Sequence, residues 1–392
     1  MKIAILGSGK IASLYAAALN SQRSKDYILT VYSRNISNAK RFANDFFVQE
    51  FTDNMVKAIE NPNVEAVIIC LPNHLHKIAV QACVAAKKPI LCTKPLGRTA
   101  QEAKYLLDLV ENAGIFAGYL EDLCYTPNIL KSAEYIMDGR VGNITWVKSR
   151  QGNTSPSSDW LWNRAKSGGG AIIDLASNCI AIGRNLIGKQ IKPVEVMCWS
   201  ATQFYPIDVE DNAVGIIKYA NGAINQFEVS WHSKLGKETR DDIIGTEGSF
   251  SFTNNFNEDG QSYDRNQFLL EKTTPKNYQQ SFGNGFSNNI GFQNMFTDMF
   301  NAIENNRPPL ETFYDGYIVN AIIDAAYLSV NSKKWEPIIL DDWRGEEDKT
   351  LENLAISYNE KYYLVKEEML PNGDLKTILK HKNSGELVEK VW

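Results

Sequence analysis

Short β-branched runs alternating with stretches of helical periodicity fill the first 120 residues, and this rhythm constrains the fold more than any other feature. Residues 2–6, 27–33, 66–71, 89–93 and 115–120 read as strands. Between them, residues 11–22, 37–47, 75–86 and 100–113 repeat apolar side chains at helical spacing. Strands alternating with helices of that length build parallel βαβ units. The expectation is an α/β Rossmann domain with a doubly wound parallel sheet over residues 1–122.

The pattern changes after about residue 125. A helix near 127–137 ends at Gly139, and longer alternating segments follow at 144–150, 193–201, 212–219, 223–231 and 249–253. Asn221-Gly222 supplies the positive φ angles of a tight hairpin turn. Helical stretches are expected at 288–305 and 314–331, after an Asn/Ser/Gly-rich surface loop at 274–289. This predicts an α+β C-terminal domain over 123–340 with an open, mostly antiparallel sheet. Residues 341–352 form a charged linker. Strands at 361–369, 375–381 and a third ending at Trp392, joined through Pro371-Asn372-Gly373 and Asn383-Ser384-Gly385, make 341–392 an appended β-meander. It is expected to pack on the parent domain or on a neighbouring subunit.

Composition narrows the function classes. An apolar fraction of 44% fills two cores, and a net charge of −5 argues against nucleic acid or an anionic membrane as the partner. The six cysteines stand singly without zinc spacing, so they read as buried thiols of a reducing cytoplasm, and no metal site is expected. The apolar run at the N-terminus is too short for a signal peptide, and no stretch nears the ~20 apolar residues of a membrane span.

Gly7-Ser8-Gly9-Lys10-Ile11-Ala12 closes the first strand and opens the first helix. The first glycine permits the tight turn, the second lets a pyrophosphate approach the backbone, and Ala12 keeps helix and strand close. The phosphates would rest on free N–H groups at the helix N-terminus. The second strand ends in Ser33-Arg34-Asn35, where an acidic residue would hold the adenine ribose of NAD. Arginine pairs with a 2′-phosphate and serine can bond it, so NADP is expected, with NAD as the alternative.

Thr93-Lys94-Pro95, after the fourth strand, resembles the E-K-P signature of the Gfo/Idh/MocA oxidoreductases. Leu71-Pro72-Asn73-His74-Leu75-His76 resembles that family's loop along the nicotinamide ribose, and Gly168-Gly169-Gly170-Ala171-Ile172-Ile173-Asp174 its glycine-rich segment. Ile244-Gly-Thr-Glu-Gly248 and Tyr314-Asp-Gly-Tyr317 are further landmarks, and the resemblance covers about residues 1–338. It implies an NAD(P)-dependent oxidoreductase for sugars, cyclitols or related polyols. It also implies a homo-oligomer, dimer or tetramer, built on the outer face of the second sheet. Lys94 would bond the substrate oxygen and stabilise developing alkoxide charge, and Asp174 would orient a substrate hydroxyl. Leu71, Pro72, Asn73, His76, Thr93 and Pro95 would line the cofactor.

Two departures bear on turnover. Thr93 replaces the glutamate of the signature, and Asn178 stands where the family carries its acid/base histidine. Asparagine exchanges hydrogen bonds but takes no proton at neutral pH. Replacement bases considered are His74, His232, a Lys94 of lowered pKa, Tyr125 and Asp174. Glu121, Tyr125, Arg150 and Trp162 are further substrate-binding candidates, with a hinge salt bridge or core packing as alternatives. Two other readings stand beside the oxidoreductase: a cofactor-binding sensor or scaffold with altered catalysis, and a redox-assisted glycosidase.

Overall fold

The computed structural model describes residues 1–22, 25–233, 237–256, 262–263, 269–272, 290–346, 361–371 and 374–391. The chain separates into two units, Met1–Trp343 and Arg344–Trp392. The 274–289 loop, the second half of the 341–352 linker and the Asn372-Gly373 turn lie outside the described residues.

The first unit opens with β1 (Lys2–Leu6), α1 (Lys10–Gln22), β2 (Tyr27–Tyr32), α2 (Ile36–Phe46), β3 (Glu50–Thr52), α3 (Met55–Ile59) and β4 (Ala66–Ile69). It continues with α4 (His76–Ala85), β5 (Ile90–Thr93), α5 (Ala100–Asn112) and β6 (Ala117–Leu120). The strands form a parallel sheet in the order β3-β2-β1-β4-β5-β6. Side chains cap the helices where the sequence offers an acceptor: Asn35 to Ser37 N, Asn54 to Lys57 N and Thr99 to Glu102 N. Strand order reverses between β2-β1 and β4, which opens the ligand crevice at the carboxyl ends of β1 and β4. β3 was not expected; three residues with two exposed carry no alternation to read.

Next come α6 (Pro127–Met137), β7 (Ile144–Gly152), α7 (Arg164–Ser167), a π-helical turn at Ile172–Ala176 and α8 (Ser177–Ile187). Then follow β8 (Pro193–Ala201), β9 (Asn212–Tyr219), β10 (Ile224–Ser230), β11 (Lys237–Gly245), β12 (Gly248–Phe256), β13 (Ser262–Tyr263) and β14 (Leu269–Lys272). Two helices, α9 (Ile290–Glu304) and α10 (Phe313–Ser332), and the short β15 (Glu336–Pro337) complete the unit. The second sheet runs β13-β12-β11-β7-β10-β9-β8-β15, with β14 also on β12. It is antiparallel except where β10 pairs parallel with β7.

α10 returns to the first sheet. Asn320 bonds both backbone groups of Gly97, at 3.3 and 2.8 Å, and Asp324 accepts from Ala100 N at 2.8 Å. Gly118 of β6 bridges to Thr312, and Tyr119 N donates to Glu311 O at 3.0 Å. A capping box of Thr312 and Asp315 starts the helix at that contact. The terminal unit is a three-stranded antiparallel meander of β16 (Tyr362–Met369), β17 (Leu375–His381) and β18 (Leu387–Val391). Leu379 is buried, whereas Leu364, Val365 and Leu387 are exposed.

Candidate active site

The glycine turn has the shape a dinucleotide needs. Gly7 takes φ +116°, and a Cβ there would stand 2.4 Å from Cys70 O. At Gly9 a Cβ would meet nothing within 4 Å, so the backbone is open to an approaching phosphate. Ser8 Oγ donates to Ser33 Oγ at 3.0 Å, tying the turn to the end of β2, with Arg34 exposed beside it. Lys10 is exposed and Ile11 half-buried at the start of α1.

The loop after β4 is built differently from its expected role. His76 is fully buried, with Nε2 2.9 Å from Leu71 O and Nδ1 3.3 Å from Leu96 O. Burial holds its pKa below the ordinary value despite those carbonyls. It therefore fastens the loop from behind, with both ring nitrogens against backbone carbonyls and none turned to a cofactor. Asn73 is buried and donates to Ser167 O at 2.7 Å, joining this loop to the glycine run.

Lys94 follows β5 at the carboxyl edge of the sheet. Its ammonium donates to Asp174 Oδ1 at 3.1 Å and to the Asp174 backbone carbonyl. The two side chains are 19% and 18% exposed, so a ligand can reach them. Burial pulls the Lys94 pKa down, but the charges of Asp174 and Glu121 outweigh it and the net shift is upward. Lys94 is thus held protonated, which overturns the expectation of a lowered lysine pKa. Trp231 Nε1 donates to Asp174 Oδ2 at 2.9 Å, so both carboxylate oxygens are engaged. Thr93 is buried and its hydroxyl lies 3.2 Å from Tyr15 Oη.

The glycine run places Asp174. A Cβ on Gly169 would sit 1.8 Å from Tyr327 Oη, and one on Gly170 would sit 1.9 Å from Glu210 O. Glu210 Oε1 accepts from Gly170 N and Ile172 N, each at 2.9 Å, and from Tyr327 Oη at 2.8 Å. Only glycine fits between these partners, and the π-helical turn that follows aims Asp174 at Lys94.

Glu121, directly after β6, is completely buried. Burial pushes its carboxyl well above the usual range, Asp122 adds to the rise, and Lys94 pulls the other way. The Asn178 amide lies between Glu121 and Gln151: as placed, Nδ2 donates to Gln151 Oε1 at 2.9 Å, and turned over, Nδ2 donates to Glu121 Oε1 at 3.2 Å and Oε2 at 2.9 Å, which requires the Gln151 amide to turn its NH2 to the Asn178 oxygen. Lys94, Asp174 and Trp231 thus make one hydrogen-bonded group and Glu121, Asn178 and Gln151 a second, with the charges of Lys94 and Glu121 felt between them.

Other expected site residues lie elsewhere. Arg150 is on the opposite face of β7 from Gln151, because strand side chains alternate, and pairs with Glu228 at 3.2 Å and Glu238 at 3.4 Å. Tyr125 is buried and donates to Asp298 Oδ2 at 3.0 Å, with Glu311 N donating to its oxygen, so it is committed to packing. Trp162 is 40% exposed at the end of a short turn, while its neighbour Leu161 is buried. His232 stacks on exposed Phe204, 3.7 Å between ring centres. Half-buried His74 has its pKa lowered by burial and then by Arg98, Lys166 and Arg34.

Among the described residues no group of His, Cys, Asp and Glu could hold a metal, and no helix is long and apolar enough to cross a membrane.

Comparison with known proteins agrees with this geometry. Residues 1–119 match the oxidoreductase family with an NAD-binding Rossmann fold, and residues 129–251 match the GFO/IDH/MocA C-terminal domain. Levoglucosan dehydrogenase of Pseudarthrobacter phenanthrenivorans is 27% identical over 338 residues, covering 76% of this chain and 86% of that protein. Trans-1,2-dihydrobenzene-1,2-diol dehydrogenase of Mus musculus is 26% identical over 249 residues, covering 62% of this chain and 72% of that protein. The structure of levoglucosan dehydrogenase with NADH and levoglucosan superposes with a TM-score of 0.73 at 26% identity, over 87% of this chain and all of that one.

Proposed function

The chain belongs to the Gfo/Idh/MocA oxidoreductases, and on that premise we propose that it transfers a hydride between NADP and a hydroxyl or carbonyl of a sugar, cyclitol or related polyol. The observation that carries this reading is the reachable Lys94–Asp174 pair, 3.1 Å apart at the carboxyl edge of the parallel sheet. Residues 1–122 are the dinucleotide half and 123–340 the substrate half.

Gly7, Ser8, Gly9, Lys10 and Ile11 would hold the pyrophosphate, Leu71, Pro72 and Asn73 the next part of the cofactor, and Thr93, Lys94 and Pro95 its reacting end. Ser33 and Arg34 favour a 2′-phosphate over a bare ribose, which is why NADP is preferred to NAD. When bound, the dinucleotide supplies the hydride acceptor or donor. Lys94 hydrogen-bonds the substrate oxygen and stabilises its negative charge as it develops. Asp174, fixed by Trp231, keeps Lys94 ionised and in place. A homo-oligomer of cytoplasmic residence is part of the same reading, supported by six buried free thiols for the compartment and by family resemblance for assembly. A truncation after Asp341 that lowers the oligomer size in sedimentation would tie the meander to assembly.

The test is a titration with NADPH and NADH separately, following tryptophan fluorescence, and then turnover on levoglucosan, inositols and a dihydrodiol. NADPH binding more tightly, with turnover of one of these polyols, is the expected result. Binding of neither cofactor would sink the reading. In Arg34→Ala the preference for NADPH should shrink about tenfold or more, the worth of a charged hydrogen bond.

A second reading is favoured by Asn178: a sensor or scaffold that keeps the dinucleotide and has lost turnover. Asn178→His separates the two. A large gain in polyol oxidation marks a weakened enzyme, and cofactor binding without any gain favours the sensor.

A further inference from the structure

Two acids stand side by side where the chain enters β9, and both are buried: Glu210 is 6% exposed and Asp211 0%. Burying a carboxylate is costly unless donors surround it. Here the donors tie both acids to Asp174, by two separate routes.

Glu210 holds the segment that carries Asp174. The π-helical turn starts without a side-chain cap of its own, so its first N–H groups need acceptors from elsewhere. Glu210 supplies them for three residues in a row. Its Oε1 accepts from Gly170 N and Ile172 N, each at 2.9 Å, and its backbone carbonyl accepts from Ala171 N at 2.9 Å. Tyr327 Oη of α10 donates to the same Oε1 at 2.8 Å. Asp174 N donates to Gly170 O at 3.0 Å, which places the Asp174 backbone one turn from this clamp. Burial lifts the Glu210 carboxyl above its usual range, and these donors, with its own N–H, pull the other way.

Asp211 holds the residue that grips the Asp174 carboxylate. Its backbone carbonyl accepts from Trp231 N at 2.8 Å. Its carboxylate gathers the N–H groups of Gln203, Phe204 and Tyr205 at 2.9, 2.7 and 3.1 Å. Burial pushes this carboxyl up, but the N–H donors outweigh it and hold it below its usual range. The gathered loop then returns to Trp231, because Tyr205 Oη donates to Trp231 O at 3.2 Å. With both backbone groups of Trp231 held in this way, its indole Nε1 donates to Asp174 Oδ2 at 2.9 Å.

We infer that Glu210 and Asp211 are positioning residues for the reaction: one fixes the backbone of Asp174, the other its carboxylate through Trp231, and together they set where Lys94 meets the substrate oxygen. The inference rests on the oxidoreductase reading above. Both acids act at one remove, since the partner of Lys94 is Asp174, 3.1 Å away through Oδ1. Their part is geometric, with no proton gained or lost. Reacting groups tolerate little displacement, and a shift of about 1 Å can cost ~10²-fold in rate.

The experiment compares wild type with Glu210→Ala, Glu210→Gln and Tyr205→Phe. Glu210→Ala leaves Gly170 N, Ile172 N and Tyr327 Oη without their acceptor, whereas Glu210→Gln keeps an acceptor oxygen there. Tyr205→Phe removes one of the two hydrogen bonds on the Trp231 backbone and leaves both acids in place. The first readout is the indole N–H resonance of Trp231 in isotope-labelled, ligand-free protein, identified among eight tryptophans by its absence in Trp231→Phe. It should move upfield in Glu210→Ala as the bond to Asp174 loosens, move less in Tyr205→Phe, and stay near wild type in Glu210→Gln. The second readout is kinetics on the polyol found above, with NADPH titration alongside. Glu210→Ala should lose ~10²-fold in kcat with NADPH affinity kept, Tyr205→Phe up to about tenfold, and Glu210→Gln should recover most of the rate.

A folded Glu210→Ala protein with the wild-type Trp231 resonance and kcat overturns the proposal. So does a Glu210→Gln protein as impaired as Glu210→Ala, or a loss of NADPH affinity in step with kcat, which marks a general structural role. If Glu210→Ala does not melt cooperatively, Tyr205→Phe decides, and an unmoved Trp231 resonance there overturns the clamp. A Trp231 resonance that responds in a protein with no polyol turnover overturns the oxidoreductase reading instead, and with it the part these acids play in a reaction.

Discussion

The two edges of the crevice are made of different material. At the end of β1 the site is backbone: a turn at Gly7 with φ +116°, an open approach at Gly9, and the first N–H groups of α1. Across the crevice the site is side chain: Lys94 after β5, Glu121 after β6, Asp174 on a π-helical turn and Asn178 on α8, with Gln151 from β7. A backbone site is specified by a few adjacent residues and fails as a unit. A side-chain site is assembled from distant segments, and each member can be changed with the frame left standing. Asn178 lies inside the continuous helix α8, whose frame is set by its backbone and not by that side chain.

Three measurements sharpen this contrast. The largest effect is expected at Lys94→Ala, which should cut turnover by ~10²–10⁴-fold while NADPH still quenches tryptophan fluorescence and the melting temperature holds. If cofactor binding falls with turnover, the two edges are not separable. Gly7→Ala should do the opposite, because its Cβ would stand 2.4 Å from Cys70 O at a φ that L-residues avoid. It should destabilise the protein by about 1–3 kcal/mol and abolish cofactor binding, read by thermal melts and titration. The smallest effect is expected at Trp231→Phe, which removes the 2.9 Å hydrogen bond to Asp174 Oδ2. It should cost about tenfold in kcat/KM, the worth of a hydrogen bond to a charged group, without changing NADPH affinity. Unchanged kinetics there would mean that Lys94 alone fixes Asp174.

The backbone edge was legible in the sequence because Gly7, Gly9 and Ala12 are neighbours with one geometric purpose each. The parallel sheet was legible for the same kind of reason, since its apolar strands and helix caps are local signals. On the side-chain edge the motifs drew attention to Lys94 and Asp174, which stand 3.1 Å apart, whereas Glu121 was singled out as a substrate contact and lies against Asn178. Gln151 was missed in favour of Arg150, a neighbour of opposite strand parity whose charge drew attention to the wrong face. β11 was missed because its inward face is polar. Thr239 and Asp241 are buried where alternation calls for apolar residues, Asp241 bonded to Ser149 at 2.6 Å, while Arg240 and Asp242 face outward. His76 was misread because a histidine in a binding loop invites a ligand role, and only the carbonyls of Leu71 and Leu96 reveal it as a fastener.

The return of α10 to the first sheet also limits how the molecule can be cut. Leu96, Gly97, Ala100, Gly118 and Tyr119 belong to the dinucleotide half by sequence, yet they take their packing and hydrogen bonds from residues 311–324. A fragment ending at residue 122 would expose that seam and leave backbone groups of Gly97, Ala100 and Tyr119 without their acceptors and donors. The dinucleotide half is therefore not a portable module: a graft that borrows it must carry α10, nearly two hundred residues downstream, or supply a substitute for the surface that α10 covers.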